Sequence, residues 1–267
     1  MSRSRSRRLL VTEVTPDGAA RHPDELIVEE PMSIQLDGTR VATTMRTPGH
    51  DFELAVGFCF TEGLIGDAPI IGVRYCGTGS AIDTEFNVVT VETGGRAPTP
   101  TPRLGTTSSS CGWCGTDQID ELCARLRSLP DSRAMPLELL GRVPELVGSS
   151  QPLFERTGAA HAAAVFDRSG AIGVTREDVG RHNAVDKVVG AMLLDGALPA
   201  AGLGLFVSGR ASLEMVQKAW AAGFSTLVSV SAPTALAVDT ARRANLVLAG
   251  FVRPGRFNVY SPERVSG

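Results

Sequence analysis

The residues best equipped for chemistry are two cysteines three positions apart, Cys111 and Cys114, in the run Ser108-Ser109-Ser110-Cys111-Gly112-Trp113-Cys114-Gly115. A Cys-x-x-Cys pair can serve as a redox dithiol, as half of a zinc site, or as a sulfur-handling nucleophile with a neighbour. A structural zinc site needs four ligands. Here Cys59, Cys76 and Cys123 stand alone and His22, His50, His161 and His182 form no close pair, so no zinc or other metal site is expected. The glycines flanking Trp113 leave the backbone free to curl. A helix expected from Thr116 or Asp117 would aim its unpaired amides and positive dipole end at the sulfurs, favouring a thiolate. Residues 94–110, with three prolines and three glycines, read as a mobile tether on which a sulfur could travel between a donor and an acceptor.

A second set of residues suits anions. Ser208-Gly209-Arg210-Ala211-Ser212 and Ser231-Ala232-Pro233-Thr234 each join an expected strand to an expected helix. Backbone amides and helix dipoles bind phosphates at such junctions, and Arg210 adds a forked donor. Ordinary helix capping by Ser and Thr would give the same pattern. Phe251-Val252-Arg253-Pro254-Gly255-Arg256 sets two arginines about a Pro-Gly turn, either a pyrophosphate clamp or a solvated hairpin tip. Arg176-Glu177-Asp178-Val179-Gly180-Arg181-His182-Asn183 is the densest polar cluster, either a capped loop with surface ion pairs or, the reading favoured for a loop at a strand end, a wall of a ligand cleft. Neither a Walker loop nor a dinucleotide fingerprint follows any strand, so ATP hydrolysis and nicotinamide chemistry are poorly supported.

The elements that must position these residues follow from composition and periodicity. The chain has 267 residues, 43% hydrophobic and 21% charged, which is globular and excludes a disordered or fibrous protein. With 26 basic and 29 acidic side chains the net charge is −3, so no global basic field recruits nucleic acid and anion binding must be local. Five cysteines in a chain of this size fit a reducing cytoplasm. No apolar run is long enough for a signal-peptide core or a membrane span.

An arginine-serine tail (1–20) is expected to be flexible, followed by a β-rich N-terminal lobe (21–145) that includes the Cys-x-x-Cys loop (94–116). Within that lobe a hairpin is expected about Asp37-Gly38, and a short helix over Asp51–Leu64 with Cys59 on its buried face. Cys123 falls on the apolar stripe of the helix after the loop. From 146 to 264, strands His161–Phe166, Ala171–Thr175, Leu203–Val207, Thr226–Val230 and Leu246–Phe251 are interleaved with helices Asn183–Leu194, Ala211–Ala222 and Thr234–Ala244. That alternation defines an α/β class, α+β overall when the N-terminal lobe is counted.

Ser-Ser-Ser-Cys-Gly-Trp-Cys-Gly at 108–115, Thr-Gly-Ala-Ala-His-Ala-Ala at 157–163, Arg-Glu-Asp-Val-Gly-Arg-His-Asn-Ala-Val-Asp-Lys at 176–187, Ser-Gly-Arg-Ala-Ser at 208–212 and the Phe-Val-Arg-Pro-Gly-Arg run at 251–256 occur in this order. Together they closely resemble the FdhD/NarQ family of formate dehydrogenase accessory sulfurtransferases, from about Val28 to Arg264. The resemblance implies a sulfur carrier that takes persulfide sulfur from a cysteine desulfurase and passes it to the molybdenum or tungsten bis-guanine-dinucleotide cofactor of formate dehydrogenase. It makes Cys111 the persulfide cysteine and Cys114 its partner. Phe251, Val252, Arg253, Pro254, Gly255 and Arg256 become the cofactor-binding stretch, and Arg181, His182, Ser208, Gly209 and Arg210 line the nucleotide cleft, which GDP would mimic. It further implies a homodimer, a cytoplasmic location, no nucleic-acid or membrane partner, and a cytidine-deaminase-like three-layer α/β C-terminal lobe. Deaminase chemistry does not carry over, because Ala162 and Ala163 follow His161 where His-x-Glu is required. A disulfide oxidoreductase using the Cys111/Cys114 dithiol and a non-catalytic molybdenum-cofactor chaperone are the alternatives.

Overall fold

In the computed structural model, which describes residues 4–76, 85–99, 120, 124–131 and 135–261, the chain opens with a two-stranded antiparallel ribbon of β1 (Ser6–Thr15) and β2 (Gly18–Ile27). From Ser6 onward a strand therefore replaces the flexible tail expected over 1–20. Leu9, Leu10, Val11, Thr12 and Val14 favour extended backbone, and Thr15-Pro16-Asp17-Gly18 supplies a tight turn. That local pattern outweighs the arginines around it.

A four-stranded sheet follows. β3 (Glu30–Leu36) alternates Met32, Ile34 and Leu36, each at most 1% exposed, with half-buried polar residues. It turns through Asp37 and Gly38, whose φ angles of 47° and 84° suit a tight hairpin, into β4 (Thr39–Arg46). After α1 (Asp51–Thr61) come β5 (Gly72–Tyr75) and β6 (Val88–Glu92), giving the order β4-β3-β6-β5 with β3 and β6 parallel. Leu54, Ala55, Val56 and Cys59 of α1 pack on this sheet. Cys59 is fully buried, and burial pushes its thiol pKa far up, which makes it an inert core thiol.

Beyond Met135 the chain forms α2 (Leu137–Gly148), α3 (Pro152–Thr157), β7 (His161–Phe166), β8 (Ile172–Asp178) and α4 (Arg181–Leu194). It continues with β9 (Gly204–Val207), α5 (Leu213–Ala222), β10 (Thr226–Ser229), α6 (Ala235–Ala244), β11 (Val247–Arg253) and β12 (Arg256–Ser261). The fold is the mixed α/β class expected. Six strands run in the order β12-β11-β10-β9-β7-β8, with β9, β10 and β11 parallel and both flanks antiparallel. One face carries α2 through Leu140, Val143 and Val147 on Phe166, Phe206 and Val228. The other carries α4, α5 and α6 through Val185, Val188, Val216, Ala219 and Ala241 on Val165, Leu205 and Leu227. The expected boundary between 145 and 146 falls inside α2. Because that helix buries its apolar side on the C-terminal sheet, the division between lobes lies before Met135.

Candidate functional site

The three parallel strands end on one edge, and their following turns are laced together there. Ser229 Oγ at the end of β10 donates to the carbonyl oxygens of Gly209 (2.7 Å) and Ser231 (3.0 Å). Ala211 N donates to Ala232 O at 3.2 Å, Thr234 N to Ala211 O at 3.0 Å, and Phe251 N to Ser231 O at 3.1 Å. β7 begins at the same edge. Ser208 Oγ accepts from Ala162 N at 2.9 Å and lies 3.3 Å from His161 Nδ1. Arg181, the first residue of α4, closes the group. A Cβ on Gly209 would lie 3.1 Å from Arg181 Cδ and 3.5 Å from His161 Cε1, so the absence of a side chain there lets both residues crowd onto the turn.

Two arginines, Arg181 and Arg210, and the Glu214 carboxylate act on one another at this edge. Arg181 Nε is buried and has no hydrogen-bond partner. Burial, and then the nearby charge of Arg210, push the Arg181 pKa below the usual arginine value, though it stays charged. Burial and Arg181 likewise lower the His161 pKa, so its imidazole is neutral at neutral pH. His182 turns aside to Glu214, with Nε2 2.8 Å from Oε2, and Ser212 Oγ donates to the same oxygen at 3.2 Å. Burial opposes the charge on Glu214, but those two contacts outweigh it and hold the carboxyl below its usual range. A half-buried guanidinium with an unfilled donor, a second arginine beside it and a side-chain-free turn together frame a small cradle at this edge.

Most of the polar cluster at 176–183 does not line this cradle. Arg176 makes a two-pronged pair with Glu53 of α1, its Nη2 2.8 Å from Oε1. The Glu177 carboxylate accepts from Leu153 N (2.9 Å) and Phe154 N (2.7 Å) at the start of α3. Asp178 pairs with the fully buried Lys187 at 2.7 Å, and Lys187 Nζ also donates to Thr47 O at 2.9 Å. Asn183 Nδ2 donates to Asp178 Oδ1 at 3.0 Å and to Met45 O at 2.7 Å. Asp186 takes Lys218 Nζ at 2.9 Å and the Thr61 hydroxyl at 2.8 Å. Burial opposes the charge on Lys218, but Asp186 and Glu62 outweigh it and raise its pKa. These residues join the lobes, and α1 crosses α4 in backbone contact between Gly57 and Gly190.

A profile of the FdhD/NarQ family matches residues 27–266 of the chain. The chain belongs to the FdhD/NarQ family. It is 45% identical over 258 residues to a sulfur carrier protein FdhD of Streptomyces avermitilis, covering 92% of this chain and 91% of the relative. It is 48% identical over 257 residues to another of that name from Anaeromyxobacter dehalogenans, covering 91% and 88%. A crystal structure assigned as a formate dehydrogenase accessory protein from Desulfotalea psychrophila superposes with a TM-score of 0.79 at 26% identity, covering 98% of this chain and 100% of that one.

Of the residues that the FdhD/NarQ resemblance nominated, Arg181, Ser208, Gly209 and Arg210 sit at the strand edge with His161, while His182 is engaged by Glu214. Phe251 joins the edge through Ser231. It is 48% exposed and has a φ of 54°, outside the ordinary strand region. Val252 is buried, Arg253 Nη1 donates to Val230 O at 2.6 Å, and Pro254-Gly255 turns the chain to an exposed Arg256. Cys111, Cys114 and Cys123 lie outside the described residues. The segment after them is anchored, Trp220 Nε1 donating to Arg127 O at 2.7 Å and Leu129 N to Ala244 O at 2.9 Å. Among the described residues no group of three or more His, Cys, Asp or Glu is placed to hold a metal ion, and no helix is long and apolar enough to cross a membrane.

The sequence reading missed His161 and Glu214 as parts of the edge, and Glu53, Thr47, Thr61 and Lys218 as partners of the polar cluster. The available signal for the lobe joint was two isolated glycines, Gly57 and Gly190, inside helical patterns.

Proposed function

We propose that this chain is a sulfur carrier for formate dehydrogenase maturation, taking persulfide sulfur onto Cys111 and delivering it to a molybdenum or tungsten bis-guanine-dinucleotide cofactor as substrate. The observation that carries the reading is the oxyanion cradle at the strand edge, where the unpartnered Arg181 Nε stands beside Arg210 over Gly209. A dinucleotide offers the phosphates such a cradle takes, and GDP would occupy it in the same way. Membership of the FdhD/NarQ family and relatives named sulfur carriers supply the rest.

The Cys111 thiolate attacks the outer sulfur of the desulfurase persulfide. The donor S–S bond breaks, the donor cysteine leaves as a thiolate, and Cys111 carries the sulfane sulfur. Attack of the Cys114 thiolate on Cys111 Sγ then forms a Cys111–Cys114 disulfide and expels hydrosulfide, which the metal would take up as sulfide in exchange for an oxo ligand released, with the proton, as hydroxide. A dithiol reductant resets the pair. The strand edge holds the phosphates still while this happens.

The test is to incubate the protein with a cysteine desulfurase and cysteine and to seek, by mass spectrometry, one added sulfur on the Cys111 peptide. In the same preparation Cys111→Ala loses the adduct and keeps GDP binding. A desulfurase that turns over while Cys111 stays unmodified defeats the proposal.

A further inference from the structure

The function proposed above gives no role to His161, the first residue of β7, which stands half-buried at the strand edge. Its ring shares the small space over Gly209 with Arg181, since a Cβ on that glycine would lie 3.5 Å from His161 Cε1 and 3.1 Å from Arg181 Cδ. Nδ1 lies 3.3 Å from Ser208 Oγ, and Nε2 makes no hydrogen bond among the described residues. Ser208 is itself fixed by two backbone contacts, its Oγ accepting from Ala162 N and its N donating to Ala162 O, both at 2.9 Å.

What this pair can donate depends on one proton. A neutral imidazole keeps one nitrogen as an acceptor. With the proton on Nε2, Nδ1 takes the Ser208 hydroxyl proton; with it on Nδ1, Nε2 presents a bare lone pair. A second proton makes both nitrogens donors. Nδ1–H then donates to Ser208 Oγ, which already accepts from Ala162 N, and the Ser208 hydroxyl is left to donate outward beside Nε2–H. The surroundings decide when that proton is held. Burial disfavours it most, followed by Arg181 and His182 of α4, while Asp178, which faces His161 across the β7–β8 ladder, favours it. Asp178 is paired with Lys187 at 2.7 Å, and His182 with Glu214 of α5 at 2.8 Å. Arg210, in the turn after β9, acts on Arg181. An empty cradle therefore keeps His161 neutral, whereas an anion carrying two charges between the arginines reverses the balance.

Resting on the reading of this edge as a phosphate site, we propose that His161 is its third arm and binds a diphosphate group as a proton moves from water onto the imidazole. No bond to phosphorus forms or breaks, and the proton returns to water when the diphosphate leaves. Remaining neutral until then spares the free protein a third positive charge beside Arg181 and Arg210. An uncharged nucleoside draws no such proton, so His161 selects for the diphosphate. By linkage, protonation tightens binding by the same factor by which binding favours protonation, about tenfold for each unit of rise in the His161 pKa. The free value lies below the ordinary histidine value of 6.5, and the bound value lies above the free one. Affinity therefore climbs as pH falls between the two and is level on either side.

Calorimetric titration of the full chain with GDP, in buffers of different ionisation enthalpy, counts the protons taken up. Because the terminal phosphate of GDP titrates in the same range, the readout is the difference between wild type and His161→Gln. From about pH 8 to about pH 6 the wild type should gain about tenfold more affinity than the variant and take up more protons per GDP. Nuclear magnetic resonance of the wild-type chain with isotope-labelled imidazoles gives an independent measure. Substituting His22, His50 and His182 in turn assigns the fourth resonance, and it should titrate about one unit or more higher with GDP bound. Parallel affinities of wild type and His161→Gln at every pH, or a His161 titration that GDP leaves in place, overturn the proposal and leave the phosphate reading of the edge intact. A wild-type chain that binds no GDP at any pH removes that reading, and the part of His161 with it.

Discussion

Replacing Gly190 by alanine should loosen the whole molecule, although the new group is a single methyl. A Cβ at Gly190 would stand 1.8 Å from the Glu53 carbonyl oxygen and 2.9 Å from Gly57 N, where Cβ contacts below 3.0 Å are essentially never seen. The obstacle is helical backbone, so α4 must move off α1 by roughly 1.2 Å. Overpacking a rigid contact costs about 1–3 kcal/mol and occasionally more, while alanine returns about 1 kcal/mol of helix propensity over glycine. Separation of the helices also strains the Asp186–Lys218 pair and its Thr61 contact, which sit one turn away. A net loss of about 2 kcal/mol lowers Tm by roughly 4–8 °C in a chain of this size. Thermal unfolding followed by far-ultraviolet circular dichroism reads it directly. Gly148→Ala is the control: that glycine ends α2 with nothing within 4 Å of the added methyl, so its Tm is unchanged or slightly raised. A Gly190→Ala protein that melts with the wild type would refute the backbone contact and the rigid joint inferred from it.

Lys218→Met leaves Asp186 buried and unpaired, so urea denaturation should show a loss of about 3–5 kcal/mol, whereas an exposed pair would give well under 1 kcal/mol. For Glu53, burial opposes ionisation, but hydrogen bonds from Arg176 and His50 outweigh it and bring the pKa from 4.5 to about 2. Its contribution is therefore complete above pH 4.5 and lost as pH falls toward 2, so the stability gap between wild type and Glu53→Gln should be widest at neutral pH and close on acidification; a gap independent of pH counts against it. Arg181→Ala should weaken GDP binding by about 10–100-fold, the worth of one charged hydrogen bond to phosphate, with an unchanged Tm; calorimetric titration that finds equal affinity removes Arg181 from the cradle.

The hairpin at Asp37-Gly38 and the alternating strands and helices of the second lobe were legible because each is written in local sequence. The roles inside Arg176–Lys187 were not, because their partners are remote. Glu53 lies 123 residues from Arg176, Thr47 140 residues from Lys187, and Lys218 32 residues from Asp186. A run of alternating charges reads the same whether it faces water or a second lobe; only the packing of α1 on α4 decides which. The ribbon was hidden for the opposite reason. Its arginines suggested solvation, while the β-branched residues between them and the Pro-Asp-Gly turn set the backbone.

The lobe joint also decides where the acids beside the strand edge go in a chain of net charge −3. The acids nearest the strand edge in sequence are drawn inward or onto backbone. Glu177 is held by the amides of α3, Asp178 by Lys187, and Asp186 by Lys218. Glu214, the acid that stays near Arg181 and Arg210, is tied to His182 and Ser212. Had Glu177, Asp178 and Asp186 also faced the edge, three more carboxylates would have opposed the two arginines there. The same folding event that docks α4 on α1 therefore draws these three acids off the edge and leaves Arg181, half-buried at the start of that helix, with a donor still unfilled.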